Sequence, residues 1–365
     1  MKPLASPRGV AAVCLAIGAL LAIRLLAANE WDPSALAAFG ETSTEITDYA
    51  EEQLDREVVT RDGLGHDGRF FFVQANDPLL REPGDHAAIL DRPQYRSQRM
   101  LYPLVAGGVG TLPPEAILWG LITLNVLMIG FGSWAVAAIA VKFGAPAYAG
   151  FAFALNPGVF NELFIDGGGI LAFGLAAFGA WALQDERRAW AVAAFIGAVL
   201  AREAMLIFVG LIALFWWLKK KTVPWWLVAP PVAAVAAWAL YVRAVVDAGS
   251  TTVEVIELTP IPFSGLVEAV DLGLFRPAEV IMAVVILIMC VMVPIRAWRS
   301  EVYLSWGAVG FALLAPFLTA FVWSRVWDIS RAVVPLITVY ILQAVITLRT
   351  GSPEAKVKID PAPAD

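Results

Sequence analysis

The chain has 365 residues, 59% hydrophobic and 16% charged, with mean hydropathy +0.71 and net charge −6. Soluble domains carry about 25% charged residues, so this composition excludes a large soluble core and indicates an all-α polytopic membrane protein. No basic run exceeds Lys219-Lys220-Lys221, which gives no support for a nucleic-acid partner, and two cysteines with two histidines leave little for disulfide or zinc chemistry.

The first apolar segment, residues 10–28, follows Lys2 and Arg8 and reads as a signal peptide or as an uncleaved first span. The uncleaved reading is favoured, because Arg24 interrupts the apolar run and later spans need a starting orientation. Further apolar segments cover 101–112, 115–141, 146–164, 169–184, 189–201, 203–218, 224–246, 279–295, 302–323 and 333–348. A helix needs about 20 residues to cross a bilayer, so this pattern predicts about ten to eleven transmembrane helices in one membrane domain, residues 1–350. Residues 351–365 are rich in Pro, Ala and charge and read as a disordered cytoplasmic tail.

Short basic connectors, Lys142, Arg187-Arg188, Lys219 to Lys221, Arg296 with Arg299, and Arg349, mark the cytoplasmic side. If the N-terminus is inside and 101–112 does not cross, ten crossings place these connectors and both termini in the cytoplasm. The 29–100 loop, Asp166 to Gly169, the 247–276 loop and Ser324 to Arg331 then lie outside. A rival parity makes 101–112 a span and 189–218 one long tilted helix. It moves Lys142, Arg187, Arg188 and Asp166 across, while Asp67, Glu257 and Asp328 stay outside.

The long first loop carries the candidate chemistry. Gly65-His66-Asp67-Gly68 presents a carboxylate between glycines that free the backbone to turn and let a substrate approach. Partial dehydration beside a bilayer raises a carboxyl pKa, as a general base requires. The following Phe70-Phe71-Phe72 offers apolar surface to a lipid chain or the membrane; a plain Asp-Gly turn with an aromatic anchor fits the same residues. Arg92, Arg96 and Arg99 fall on one face of a helix, where their guanidinium forks match phosphate oxygens or anchor anionic lipid. Arg202-Glu203 interrupts an apolar stretch and marks an interior site or a structural ion pair. Asp166, before three glycines, and Asp328 with Arg331 bring charge to the outer ends of spans, for a metal, a sugar hydroxyl or a phosphate, or merely as solvated caps.

Together these residues resemble the GT-C superfamily of multi-spanning glycosyltransferases, which use polyprenyl-phosphate-linked sugars. The resemblance rests on Gly65-His66-Asp67-Gly68-Arg69-Phe70-Phe71, on Tyr95-Arg96, and on Gln98-Arg99-Met100-Leu101-Tyr102-Pro103. Asn156-Pro157, Arg202-Glu203 and Asp328-Ile329-Ser330-Arg331 add shorter signatures. It is similar in particular to bacterial membrane proteins associated with cell-surface glycopolymers. The resemblance implies an inner-membrane enzyme with an extracytoplasmic active site. Its partners would be a polyprenyl-phosphate sugar donor, a cell-envelope glycan or glycolipid acceptor, and membrane lipids. Asp67 would be the catalytic base, and Arg92, Tyr95, Arg96, Arg99, Tyr102, Arg202, Glu203, Asp328 and Arg331 would bind substrate. Asp166 would stand where some relatives place a second acid with a divalent metal such as magnesium or manganese. The first loop lacks an Asp-x-Asp pair, which leaves metal dependence open. A transporter or flippase of a lipid-linked glycan, or a structural subunit of an envelope-synthesis complex, are the alternatives.

Overall fold

The computed structural model describes residues 3–247 and 258–350; Glu257 and the 351–365 tail lie outside them. Helix α1 (Pro7–Ala28) starts where Ser6 Oγ accepts the Gly9 N–H at 3.1 Å and Pro7 opens the first turn. The polar segment after it forms short elements, α2 (Thr44–Leu54), α3 (Asp67–Asn76), α4 (Pro83–Ile89) and α5 (Pro93–Arg96). Among the described residues, its one strand pairing is parallel, Phe39–Gly40 with Thr60–Arg61. Arg56 holds this segment to the bundle, meeting Asp32 at 2.7 Å and Glu115 at 3.0 Å. Arg61 Nη2 donates to the Phe164 carbonyl at 2.8 Å. Phe70, Phe71 and Phe72 are buried in the core, not spread on a membrane surface. The cause is that α3 is wedged between α6 (Leu101–Ala106) and α7 (Pro114–Lys142) as well as the loop helices.

Helix α6 has six residues, about 9 Å of rise, and ends in a glycine turn with Gly108 at φ 57° and Gly110 at φ 75°. It is too short to cross. Helix α7 is long enough and packs along α1, with Gly130 admitting Leu15 and Gly18 admitting Ile129. The 146–164 segment is not one helix: Pro157 cannot continue the chain's preceding turns, and α8 (Pro157–Phe164) starts anew there. Asn156 caps it, accepting from Gly158 N–H while donating to Val334 and Thr338.

Three apolar helices follow, α9 (Gly169–Gln184), α10 (Arg188–Ala201) and α11 (Met205–Lys220). The chain breaks between α10 and α11, so 189–218 is not the single tilted helix of the rival parity. Next come α12 (Trp225–Val245), α13 (Ser264–Asp271), α14 (Pro277–Arg299) and α15 (Tyr303–Leu314). The chain ends in α16 (Val326–Ala332) and α17 (Val334–Thr350), which meet at a 75° bend. Helices α1, α7, α12 and α14 are long and apolar enough to cross a membrane, and the bent pair makes a fifth if it is one span. Helices α9 and α10 and the Tyr303–Phe317 segment are apolar but shorter. The architecture is that of a multi-pass, all-helical membrane protein.

Two ends of this bundle differ in chemistry. At one, Lys142 meets the Gln184 carbonyl and Asp185, Lys219 meets the Ser300 carbonyl, and Gln184 accepts the Tyr303 N–H. Basic side chains there lie over aromatic rings, Arg188 on Trp226 and Lys220 on Trp216. At the other end of α9, about 24 Å away, Gly169 N–H is bonded to Glu162. The candidate site is built there.

Candidate functional site

Asp67 is the first residue of α3, where the helix's unpaired N–H groups favour an anion. Its glycine neighbours serve packing. Gly65 adopts φ 76°, and a Cβ on Gly68 would collide with the Ile165 carbonyl and the Ala37 backbone, so α3 is pressed against two other segments. The carboxylate is gripped from both sides of the sequence: Arg96 Nη1 donates to Oδ1 at 3.1 Å and Arg331 Nη1 to Oδ2 at 2.7 Å. Burial pushes the Asp67 carboxyl up, but Arg331 and Arg96 outweigh it and hold it far below the usual carboxylate range. The expected raised pKa is therefore overturned by the two ion pairs. Burial and Arg331 also push the neighbouring His66 imidazole down.

The network continues through groups from further segments. Arg99 forms a two-pronged bond to Glu203, Nε to Oε2 at 3.0 Å and Nη2 to Oε1 at 2.9 Å. Arg202 does not pair with its neighbour Glu203 but reaches Glu162 at 3.4 Å, and Arg331 lies 3.8 Å from the same Glu162 oxygen. Glu162 in turn accepts the Gly169 N–H at 2.8 Å and so starts α9. It can stand this close to Arg331 because Gly158 lets α8 approach α16 at the Ser330 carbonyl. The break after α10 exists at these charges: Arg202 and Glu203 leave the helix to meet partners on other elements.

Arg92, Arg96 and Arg99 do not share one helical face, because α5 stops at Arg96. They converge instead on Tyr95, whose ring centre lies 4.5, 5.9 and 5.0 Å from the three guanidinium carbons. The Tyr95 hydroxyl accepts from Arg99. This segment is clamped by the end of α12, through Gln94 to the Val246 carbonyl and Trp238 to the Ser97 carbonyl, both 2.8 Å. Arg96 additionally forks onto Asp91 at 2.9 and 3.1 Å.

Two expected site residues are held by contacts apart from this network, and a third stands at its edge. Tyr102 is wholly buried; its hydroxyl donates to the Leu121 carbonyl at 3.0 Å and accepts from Asn125 at 2.7 Å. Asp166 is also fully buried, with φ 43°, and does not cap α9, since Glu162 takes that place. Among the described residues no group of three His, Cys, Asp or Glu side chains that could hold a metal ion comes together. Asp328 is mostly buried and pairs with Arg325 at 3.8 Å, at the edge of the network.

Glu162, and Arg69 beyond its place in the 65–71 run, belong to the candidate site and escaped the sequence reading. Glu162 sits inside an apolar segment, where any carboxylate is a signal in itself. At the far end of α3, about 15 Å from Asp67, a cleft of about 350 Å³ is lined by Tyr49, Gln53, Asn76, Asp77, Arg81 and Glu82. The chain matches no protein family, no curated protein and no solved structure.

Proposed function

We propose that the chain is a GT-C-like glycosyltransferase that moves a sugar from a polyprenyl-phosphate carrier to a cell-envelope glycan or glycolipid. The observation that carries this reading is Asp67 held between Arg96 and Arg331, residues distant in the sequence, beside further guanidiniums. Arg69, Arg96, Arg99, Arg202 and Arg331 stand against Asp67, Asp91, Glu162 and Glu203, which leaves one positive charge with all groups ionised. A phosphate fits that excess. Its oxygens compete for the Arg96 and Arg331 donors, and a carboxylate relieved of them regains basicity.

In this mechanism the acceptor hydroxyl attacks the anomeric carbon and the carbon–oxygen bond to phosphate breaks. The bonding pair leaves with the phosphate oxygen, where guanidiniums stabilise the growing charge, and the hydroxyl proton passes to Asp67. A single displacement inverts the anomeric centre. The polar cleft at the far end of α3 suits the distal sugars of an extended glycan acceptor, because amide and carboxylate side chains bond sugar hydroxyls. Basic residues gathered at the opposite end support a cytoplasmic placement for that end and an extracytoplasmic site in an inner membrane.

The test is sugar transfer from a polyprenyl-phosphate sugar by the purified protein in lipid. Asp67→Asn should lower turnover about 10²- to 10⁴-fold, the usual weight of a general base. Unchanged transfer in that variant sinks the reading. A second reading has an observation of its own: because Arg96, Arg99, Arg202 and Arg331 all have carboxylate partners, the network also suits a purely structural clamp in a transporter or docking subunit. Wild-type protein that carries a lipid-linked glycan across vesicles without transferring its sugar would favour that reading.

A further inference from the structure

Arg69 differs from the four guanidiniums that hold carboxylates at the site. It lies in the first turn of α3, two residues after Asp67, and is buried. Its Nε and Nη1 are both out of contact with water and meet no hydrogen-bond acceptor. Arg96, Arg99, Arg202 and Arg331 each hold a carboxylate, whereas no carboxylate among the described residues lies within ion-pair distance of Arg69. Asp91, which acts on Arg69 from further off, gives both oxygens to the Arg96 fork. Burial pushes the Arg69 guanidinium down to about 10, which still leaves it charged at neutral pH. A buried cation with unmet donors is costly, and such orphans in a folded chain call for a missing partner.

Its surroundings say what that partner is. The guanidinium carbons of Arg69 and Arg96 stand 4.5 and 3.9 Å from the centre of one ring, that of Phe70, so two cations border a single aromatic side chain. We infer that Arg69 is the open donor of an oxyanion site and that the anion it takes is a phosphate, held together with Arg96 next to Asp67. This rests on the reading of the site as one that handles a phosphate-linked donor, and it assigns the first phosphate contact to a residue with donors to spare. Arg96 then joins by exchanging Asp67 for the ligand. The phosphate belongs to a lipid headgroup or is free in solution, and the chemistry at Arg69 is the same for both.

Thermal unfolding of the full-length protein in detergent separates these cases. Wild type should melt higher with added polyprenyl monophosphate; a matching shift with inorganic phosphate identifies a free-anion site, and its absence a lipid headgroup. Arg69→Met should melt above wild type without ligand, because it removes an unpaired charge and keeps the contact with Phe70. It should also bind the phosphate probe about 10- to 100-fold more weakly, the weight of a hydrogen bond to a charged group. Arg69→Lys keeps the charge but not the fork and should lose binding with little change in unfolding. A lower melting temperature in ligand-free Arg69→Met, or undiminished phosphate affinity in both variants, overturns the inference. Asp67→Asn in the transfer assay judges the parent reading separately: inactive Asp67→Asn beside phosphate-indifferent Arg69 variants removes the anion site alone.

Discussion

Neutralising Asp67 perturbs stability as well as chemistry, and the two can be told apart. In Asp67→Asn the guanidiniums of Arg96 and Arg331, whose side chains are 11% and 21% exposed, lose their shared counter-ion. Removing one partner of a buried pair costs about 3–5 kcal/mol when the remaining charge is uncompensated, and less here because Arg96 keeps Asp91 and Arg331 keeps Glu162. Replacing both partners costs far less. The double variant Asp67→Asn/Arg331→Met should therefore recover much of the lost stability, with a coupling on the order of 1–3 kcal/mol in a double-mutant cycle read by thermal or denaturant unfolding. Sugar transfer should stay absent in the double variant. The pH dependence follows from the lowered pKa in the folded state. Such a carboxylate contributes stability that is complete above its ordinary value of about 3.9 and is lost as pH falls through the folded value beneath it. Wild type should thus lose stability through Asp67 only below about pH 4, a loss the Asn variant lacks. A double variant no more stable than the single one would refute the ion pairs as the restraint on Asp67.

Glu203→Gln leaves the Arg99 fork unpaired and should destabilise by about 3–5 kcal/mol in the same unfolding assay, with Arg99→Met partly restoring it. Tyr102→Phe strands a carbonyl and an amide inside the bundle and should cost about 1–3 kcal/mol while leaving the KM for donor unchanged; a raised KM would return Tyr102 to the site. Initial-rate kinetics should show donor binding before acceptor, since phosphate must first draw Arg96 and Arg331 from Asp67; random order would break that link.

The sequence identified residues by chemical type more readily than it identified their directions. Asp67, Arg96 and Arg331 stood out because a carboxylate and guanidiniums are conspicuous in an apolar chain, and they lie within hydrogen-bonding distance. For Tyr102, a place in the 98–103 run does not reveal that α6 turns its ring inward against Phe71, 5.1 Å away. Phe70 to Phe72 were misread for a related reason: lipid and protein interior are both apolar, so hydrophobicity alone does not separate a lipid-facing from a core-facing run. The helical spacing of Arg92, Arg96 and Arg99 implied one face, yet a single aromatic ring gathers them after the helix has ended. Breaks in the apolar segments were harder still. They occur at Pro157 and at Arg202 to Ala204, where local residues and distant partners act together, and the partners are invisible in a linear reading.

The placement of those breaks explains why the charges can exist at all. Helices α9 and α10 have 16 and 14 residues, about 24 and 21 Å of rise, against a hydrocarbon core of about 30 Å. Unwound backbone at such depth is tolerated only where protein or a water-lined cavity satisfies it. Here the network does so: Glu162 takes up the first amide of α9, while Arg202 and Glu203 leave α10 for partners on α8 and the 96–99 segment. Glu162 therefore has two duties, closing a broken helix and holding an opposite charge, while Arg96, Arg99, Arg202 and Arg331 hold carboxylates. Arg69 does neither, since its Nε and Nη1 meet no acceptor. A site whose other cations are already committed needs one uncommitted cation to admit an anion without first breaking the fold. That asymmetry is the physical basis for placing the ligand beside Arg69, with Arg96 and Asp67 responding to it.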